Sequence, residues 1–413
     1  MHVRVLLGAL LLPACVVSSP ISTRQASDSL PTEPASDPAE ASQQIDALAQ
    51  HANDEISAAL QGSHQKRSRT CTLKNLSIRR EWGTLSRDER LSYIKAVQCL
   101  QNLPARTPAS LVPGAKSRYD DFVATHINQT LNIHYTGTFL AWHRWFTWEY
   151  EQALRTECGY AGTQPYWDWA LTAATSMETS PVFDGSATSF SGNGAPIPHQ
   201  GQVILGASTG LPPIYLPPGT GGGCVTTGPF ARMSVNLGPV ALDLTNGTSI
   251  GSGPVAPAQF AWNPRCLKRD LTDAVNRAYA NASSVVGLVL GSEHVSEFQL
   301  TMQGVPGSGS IGVHGGGHYA IGGDPGRDVF VSPGDPVFYA HHSQIDRVWT
   351  IWQWLDIGKR QYDIAGTGTF LDSPPSPNTT LDTVLDLGYA AGKPRKMREL
   401  MSTIDGPFCY LYA

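Results

Sequence analysis

Two groups of histidines form the pattern in this sequence that is best suited to metal chemistry. Both groups lie beside segments with a helical spacing of apolar residues. The members are His126, His134 and His143 in the first group, and His314, His318, His341 and His342 in the second. Sets of three imidazoles without a carboxylate or thiolate suit copper, whereas zinc hydrolases more often include a carboxylate and hold one metal. The sequence therefore predicts a pair of copper ions.

The elements that must position these histidines are mainly helical. Apolar spacing predicts helices over Ser86–Leu100, Ser117–Thr125, Thr138–Glu157, Leu267–Asn281 and Asp335–Leu355. Strand signals are short and scattered. The interval from about residue 185 to 260 is rich in Gly, Pro, Ser and Thr and is typical of long loops. We expect a mainly α protein with small β elements.

Helical spacing turns His143 of the first group inward. His143 shares a helix face with Phe146 and Tyr150, three and seven residues later. His126 is expected at the end of the preceding helix, and His134 in the loop that connects the two helices.

The second group combines a favourable helix with an unfavourable one. Asp335 and Pro336 are typical of a helix start, and Phe338, His342 and Ile345 form one buried stripe beyond it. By contrast, His314 and His318 are separated by three glycines, residues 315–317, each of which costs a helix about 1 kcal/mol. Bonds to a metal would offset that cost.

Composition excludes several functions. The chain has 413 residues, a formal net charge of −5 and only 15% charged residues. Without a run of Lys or Arg it does not suit nucleic-acid binding, and no apolar stretch after the N-terminus is long enough to span a bilayer. Residues 68–413 show no internal repeat and no long linker, so we expect one catalytic domain there.

The N-terminus is typical of a processed, secreted protein. Residues 1–19 combine Arg4, a short apolar run and small residues, which is the pattern of a signal peptide. Residues 20–67 have no aromatic residue and are expected to be a disordered pro-segment, with a possible helix near Ile45–Leu60. The dibasic pair Lys66-Arg67 predicts cleavage after Arg67.

Cysteines and glycosylation sequons agree with an extracellular location. Six cysteines remain after the signal peptide, which predicts three disulfides. Fifteen connectivities are open, and a bridge from Cys71 to Cys409 would tie the two ends of the body together. The six cysteines are Cys71, Cys99, Cys158, Cys224, Cys266 and Cys409. Candidate N-glycosylation sites are Asn75, Asn128, Asn246, Asn281 and Asn378.

At the histidine motifs the sequence resembles the tyrosinase, catechol oxidase and haemocyanin family of type-3 copper proteins. The matching segments are His126, His134, Phe139–Arg144, His314, His318 and Asp335–Trp349. The resemblance covers about residues 71–413 and is closest to the short secreted fungal polyphenol oxidases. It implies a central four-helix bundle that holds two copper ions, with O2 as co-substrate.

The resemblance also assigns the ligands. The first copper would be bound by His126, His134 and His143, and the second by His314, His318 and His342. His341 is then a supporting residue, and Asp346 is expected to orient an imidazole. The final Tyr410-Leu411-Tyr412 resembles the tyrosine motif that ends the catalytic domain of the family and packs near an arginine, here Arg79 or Arg80. We expect no lid domain after this motif.

Departures from the family pattern bear on the reaction. Asn132 stands where many relatives have the cysteine of a thioether link, so no such link is expected. Gln303 and Gly315 stand where good monophenol hydroxylators carry a glutamate and an asparagine, and an amide cannot act as a carboxylate base. Val329 replaces a bulky gating residue, and Tyr319 offers a hydroxyl or a ring face to the substrate.

These features predict a secreted polyphenol oxidase that acts on small phenols. The expected reaction is the oxidation of o-diphenols, and of o-aminophenols, to o-quinones. One alternative is a tyrosinase with substantial monophenol hydroxylase activity. A more remote alternative is a dioxygen-binding protein, which uses the same six histidines. Neither a nucleic acid nor a membrane is expected as a partner, and the sequence leaves the oligomeric state open.

Overall fold

Helices form most of the regular structure in the computed structural model, which describes residues 30–62, 70–198, 201–206, 210–243, 249–250 and 257–413. Residues 31–413 belong to one compact unit. The helices of the described residues are α1 (Pro38–Gly62), α2 (Arg87–Asn102), α3 (Arg118–Ile133), α4 (Phe139–Cys158), α5 (Trp169–Ala174), α6 (Asp273–Tyr279), α7 (Ala282–Gly291), α8 (Val295–Gln303), α9 (Gly312–Ile321), α10 (Val337–Trp354) and α11 (Ile357–Arg360).

The strands are short and pair two by two. They are β1 (Ser77–Arg79), β2 (Gly194–Pro196), β3 (Val203–Leu205), β4 (Ile214–Leu216), β5 (Gly222–Val225), β6 (Ser234–Val235), β7 (Leu242–Asp243), β8 (Ser249–Ile250), β9 (Arg265–Cys266), β10 (Val384–Leu385), β11 (Arg395–Lys396) and β12 (Tyr410–Tyr412). β1 and β12 are parallel, and the other pairs, β2 with β5, β3 with β4, β6 with β9, β7 with β8 and β10 with β11, are antiparallel. The mainly α prediction is confirmed.

Helix starts follow ordinary capping chemistry. The side chain of Ser86 accepts from the backbone N–H of Glu89, and the Glu89 carboxylate accepts in return from the backbone N–H of Ser86. Ser117 and Asp120 form the same reciprocal pair at the start of α3. Each pair satisfies two backbone donors that the first turn leaves open, so both helices begin where the sequence predicts.

Two helix predictions need correction. α3 continues for two turns past Thr125 and ends at Ile133, so His126 lies in the middle of the helix rather than at its end. The helix expected over Leu267–Asn281 is shorter, because only α6 is helical within that span, and a break separates it from α7. The break occurs because Asn281 adopts an extended backbone and its side chain accepts from the N–H of Ser284, which starts a new helix.

Within residues 20–67, for which the sequence predicts disorder apart from a possible helix, Pro38–Gly62 form α1. Its buried residues recur at helical spacing and pack against α7 and α10. They are Ala41, Ile45, Leu48, Ala52, Ile56 and Leu60. The helix expected near Ile45–Leu60 is thus confirmed and is longer than predicted. The signal peptide prediction and the pair Lys66-Arg67 lie outside the described residues.

The two ends of the segment from Cys71 to the C-terminal strand are tied together at one place. The three disulfides are Cys71–Cys409, Cys99–Cys158 and Cys224–Cys266. β1 and β12 run side by side next to the first of them. Closing so long a loop removes chain entropy from the unfolded state and stabilises the fold by about 5 kcal/mol in the loop-entropy account.

Arg79 is the arginine that packs against the terminal tyrosine motif. Its guanidinium lies 3.7 Å from the ring centre of Tyr410 and donates to the hydroxyl of Tyr412 at 2.8 Å. It also pairs with Glu151 of α4, and all these groups are buried. Arg80 instead forms an ion pair with Glu89 near the surface.

Candidate metal centre

The first histidine group, His126, His134 and His143, converges from two helices and their connection. His126 lies in the middle of α3, and His134 is the C-cap residue directly after α3. His143 lies in the second turn of α4. One side-chain nitrogen of each lies within 4.8 Å of those of the other two, and all three residues are at most 2% exposed. The predicted grouping of these imidazoles is therefore present in the structure.

Backbone carbonyls determine which nitrogen of each imidazole carries the proton. The Nδ1 atoms of His126, His134 and His143 lie 2.8, 3.0 and 2.8 Å from the carbonyl oxygens of Phe330, Thr130 and Phe139. A carbonyl only accepts, so each neutral ring must be protonated at Nδ1, and its Nε2 lone pair is free.

Free nitrogen lone pairs in the interior make this group fit a metal ion. Nε2 of His126 and Nε2 of His143 are buried and have no hydrogen-bond partner. Leaving such atoms buried without a partner costs free energy, and a metal bond removes that cost. The donor set, with imidazole nitrogen alone, suits copper.

The second histidine group, His314, His318, His341 and His342, comes from α9 and α10. Nitrogens from its four members also lie within 4.8 Å of one another. His318 Nδ1 donates to the carbonyl of Gly326 at 3.1 Å, and His318 Nε2 lies 3.4 Å from His342 Nε2. Nε2 of His314 is buried without a partner, like those of the first group. Three of these side chains suffice for a second copper.

His341 differs from its neighbour because one of its nitrogens is already engaged. The indole Nε1 of Trp169 donates to His341 Nδ1 at 3.0 Å. A neutral His341 must then carry its proton on Nε2, so neither nitrogen offers a free lone pair to a metal. No such donor occupies His342, whose ring stacks on His143 of the first group at a centroid distance of 4.5 Å. Because no described group donates to Nδ1 of His342, this residue rather than His341 is favoured as the ligand.

The glycines of α9 make room for close neighbours. A Cβ at Gly317 would lie 2.2 Å from the ring of His341, and one at Gly316 would lie 2.8 Å from the Cβ of Tyr279 in α6. Two of the three glycines that weaken the helix thus let α9 approach its neighbours, Gly317 toward α10 and Gly316 toward α6. Sequence reasoning named metal bonds as the offset of their cost, and the structure shows that close packing contributes as well.

Burial keeps all of these imidazoles neutral. It lowers the pKa of every histidine in both groups, to about 4 for His134 and about 3 for His318. A metal therefore displaces no proton from the ligand nitrogens at neutral pH. Both groups are prepared for binding before the ion arrives.

A cavity of about 360 Å³ opens onto His134, His314 and His318. We call it the histidine cavity. Most of its wall is apolar and includes Ile311 and Phe370. Four other residues that the sequence pointed to also line this cavity. They are Gln303, Gly315, Tyr319 and Val329.

Asp346 lies elsewhere, and the expectation that it orients an imidazole is wrong. One of its oxygens accepts from Arg144 at 2.5 Å, and the other accepts from the hydroxyls of Tyr410 and Tyr412 at 2.6 Å each. Arg79 lies 3.5 Å away. The carboxylate joins α10, α4 and the C-terminal strand, and it supports the histidines only through the helices that carry them.

Gln303 is held on both sides of its amide. Its oxygen accepts from the backbone N–H of Tyr135 at 2.7 Å, and its Nε2 donates to the carbonyl of Gln299 at 3.0 Å. The hydroxyl of Tyr135 donates to the carbonyl of Gln303 at 2.6 Å. Sequence reasoning missed Tyr135, although its place directly after His134 was a signal. Gln303 is thus a fixed part of the wall and has no carboxylate with which to take up a proton.

Comparisons with known proteins agree with this geometry. The family model described as the common central domain of tyrosinase matches residues 116–355. Tyrosinase P from Aspergillus terreus is 45% identical over 337 residues, which cover 81% of this chain and 91% of that protein. N-acetyl-6-hydroxytryptophan oxidase ivoB from Emericella nidulans is 41% identical over 358 residues, covering 83% and 93% of the two chains.

A solved structure shares the fold. A variant polyphenol oxidase from Thermothelomyces thermophila aligns with a TM-score of 0.82 and 47% identity, over 90% of this chain and 98% of that chain. Helical fold, paired histidine groups and relatives together define a copper-dependent oxidoreductase. The chain belongs to the tyrosinase family, for which a dinuclear copper centre is implied.

Proposed function

We propose that the protein is a secreted polyphenol oxidase that converts o-diphenols, and also o-aminophenols, to o-quinones with O2. One copper would be held by His126, His134 and His143, and the other by His314, His318 and His342. When bound, the copper pair supplies the two-electron reaction with dioxygen. The histidine cavity holds the phenol ring above the ligands, and its apolar wall excludes water.

The observation that carries this proposal is the chemistry of the cavity wall. Hydroxylation of a monophenol requires removal of a phenolic proton, and a carboxylate is the usual base for that step. Among the described residues that line the cavity there is no Asp or Glu. Gln303, in the expected place of such a base, is neutral and held by two hydrogen bonds.

Space above the site favours access by substituted catechols. Val329 and Gly315 present small groups to the cavity, and Tyr319 supplies an aromatic wall. A catechol that enters gives up two electrons and two protons to become an o-quinone. The small residues therefore support entry of substituted rings, but they add no group that helps monophenol hydroxylation.

Oxygen uptake by the copper-loaded protein tests this function. We expect rapid uptake with 4-tert-butylcatechol, slow uptake with 4-tert-butylphenol, and none with either substrate in His342→Ala. A second variant, Gln303→Glu, restores a carboxylate and is expected to raise the monophenol rate selectively. Rapid uptake of the monophenol without a lag by the wild type would contradict the assigned role of Gln303. Reversible O2 binding without net uptake would indicate the dioxygen-binding alternative.

Secretion and processing form part of the same proposal. The three disulfides suit an oxidising compartment, and no helix of the described residues is long and apolar enough to cross a membrane. Of the candidate sequons, Asn75, Asn128 and Asn378 are exposed. A cut after Arg67 would separate α1 from residues 68–413 in sequence, yet its buried face would keep it bound. Sequencing the N-termini of the secreted protein tests this, and two termini are expected.

A further inference from the structure

Arg327 is a cation in the wall of the histidine cavity that none of the roles above requires. Its side chain is partly buried, it lines the cavity, and its Nε is fully buried without a hydrogen-bond partner. Burial keeps the histidines neutral. Among the described residues of this wall, Arg327 is the only one of the types Asp, Glu, Lys and Arg. A cation held in a mostly apolar wall is stabilised when an anion comes within reach.

Neighbouring acids do not neutralise Arg327. Asp324 is engaged by Arg265, whose nitrogens donate at 2.6 and 2.8 Å. Asp328 is buried and accepts from the backbone N–H groups of Val240 at 2.7 Å and Phe330 at 3.0 Å. Among the side chains that the structure describes, no carboxylate forms an ion pair with Arg327.

The backbone holds Arg327 close to both histidine groups. Residues 326–330 form a strap in which the carbonyl of Gly326 accepts from His318 and the carbonyl of Phe330 accepts from His126. Arg327 and Val329 of this strap both line the cavity, and Asp328 between them binds backbone groups outside it. A substrate ring over the ligands therefore lies beside a positively charged wall.

We propose that Arg327 selects phenols that carry a carboxylate on the ring or on a short ring substituent. This inference rests on the proposed function, because it names the substrate class of the same cavity. The guanidinium presents several donors in a planar fork that matches a carboxylate. Arg327 is a specificity residue that pairs with the substituent and takes no part in electron transfer.

Kinetics with paired substrates test the proposal. The substrates are 3,4-dihydroxybenzoate, 3,4-dihydroxyphenylacetate and 3-(3,4-dihydroxyphenyl)propanoate, each compared with its methyl ester. For at least one pair we expect the wild type to prefer the acid, and Arg327→Gln to raise the KM of that acid about tenfold with kcat and the ester unchanged. Arg327→Lys should retain part of the preference. Arg232→Gln, which removes an exposed arginine outside the cavity, is the matched control and should behave like the wild type.

Binding provides a readout that does not depend on turnover. Calorimetry with 3-phenylpropanoate and the neutral 3-phenylpropanamide should show tighter binding of the acid to the wild-type holoenzyme and equal binding to Arg327→Gln. If no catechol is oxidised while this difference persists, the proposed function fails and the role of Arg327 stands. An acid preference that is absent in the wild type, or unchanged in Arg327→Gln, overturns the inference. Should the Gln variant not fold, 0.5 M salt must weaken binding of the acid to the wild type more than binding of the amide.

Discussion

The two histidine groups reach similar geometry by different means. In the first group, the carbonyls of Thr130 and Phe139 orient His134 and His143, and each carbonyl lies four residues before its histidine. In the second, His318 depends on Gly326, which lies in the 326–330 strap, and His341 depends on Trp169, which is 172 residues away. The first group is arranged mainly by local structure and the second mainly by tertiary contacts.

This difference predicts how each group responds to damage. Helices α3 and α4 maintain the carbonyls that orient His134 and His143, so these two histidines should tolerate changes in distant packing, whereas His126 depends on Phe330. The second group relies on close approach of α9 to α10, which Gly317 permits. The strap connects the groups, because it accepts from His126 as well as His318.

Removing a ligand from either group should have the largest effect. His143→Ala and His342→Ala each take away one predicted copper ligand, and we expect oxygen uptake with 4-tert-butylcatechol to fall at least about a thousandfold. His341→Gln removes only a supporting residue, so copper affinity should fall about 10- to 100-fold. Uptake measured at saturating copper separates the two cases. A His341→Gln variant as inactive as His342→Ala would contradict the assignment.

Asp346→Asn should cause the largest loss of stability, because it leaves Arg79 and Arg144 buried near a neutral amide. Breaking a buried ion pair in this way costs about 3–5 kcal/mol in free energy of unfolding. Urea denaturation of the copper-free protein measures it. Asp382→Asn, which affects only surface pairs with Lys396 and Arg398, is the control and should cost under about 1 kcal/mol. Equal effects of the two substitutions would refute the anchoring role of Asp346.

Gly317→Ala should damage the second group alone. The added Cβ would overlap the His341 ring, and overpacking of this kind costs about 1–3 kcal/mol. Copper should be lost from the second site and kept in the first, as spectroscopic titration with copper would show. Gly287→Ala in α7 meets no atom within 4 Å and should be neutral or slightly stabilising. Loss from both sites together would argue against independent support.

The smallest effect expected is a difference in acid sensitivity. In the copper-free protein the unfolded chain takes up protons on its histidines below about pH 6.5, whereas the buried imidazoles do not, so the free energy of unfolding falls as the pH falls. This loss continues to about pH 4 for His134 and about pH 3 for His318. The free energy of unfolding should therefore depend less on pH in His134→Gln and in His318→Gln. The affected range should end near pH 4 for His134→Gln and near pH 3 for His318→Gln. If neither variant changes the pH dependence of the free energy of unfolding, other groups control it.

Local patterns in the sequence predicted much of the fold and less of the second group. Capping residues such as Ser86 and Ser117 placed helix starts, because their effect depends on neighbours a few residues away. The same reasoning made α3 too short and predicted only a possible helix near Ile45–Leu60 in place of α1, since the apolar stripe of α1 needs α7 and α10 to bury it. Tertiary partners of this kind are not encoded at short range.

Site residues show the same limit. The resemblance to the tyrosinase family placed Gln303, Gly315, Tyr319 and Val329 near the site, and all four line the histidine cavity. Asp346 could not be placed, because its partners come from β1, α4 and β12. Trp169 and Arg327 were missed, since only the fold brings them beside the second group and into the histidine cavity.

Anomalous diffraction at the copper edge from crystals of the copper-loaded protein tests the central claim most directly. We predict two peaks, one within bonding distance of Nε2 in His126, His134 and His143, and one within bonding distance of His314, His318 and His342. His341 should remain bonded to Trp169. A single peak, or a second peak bound by His341 instead of His342, would contradict the account.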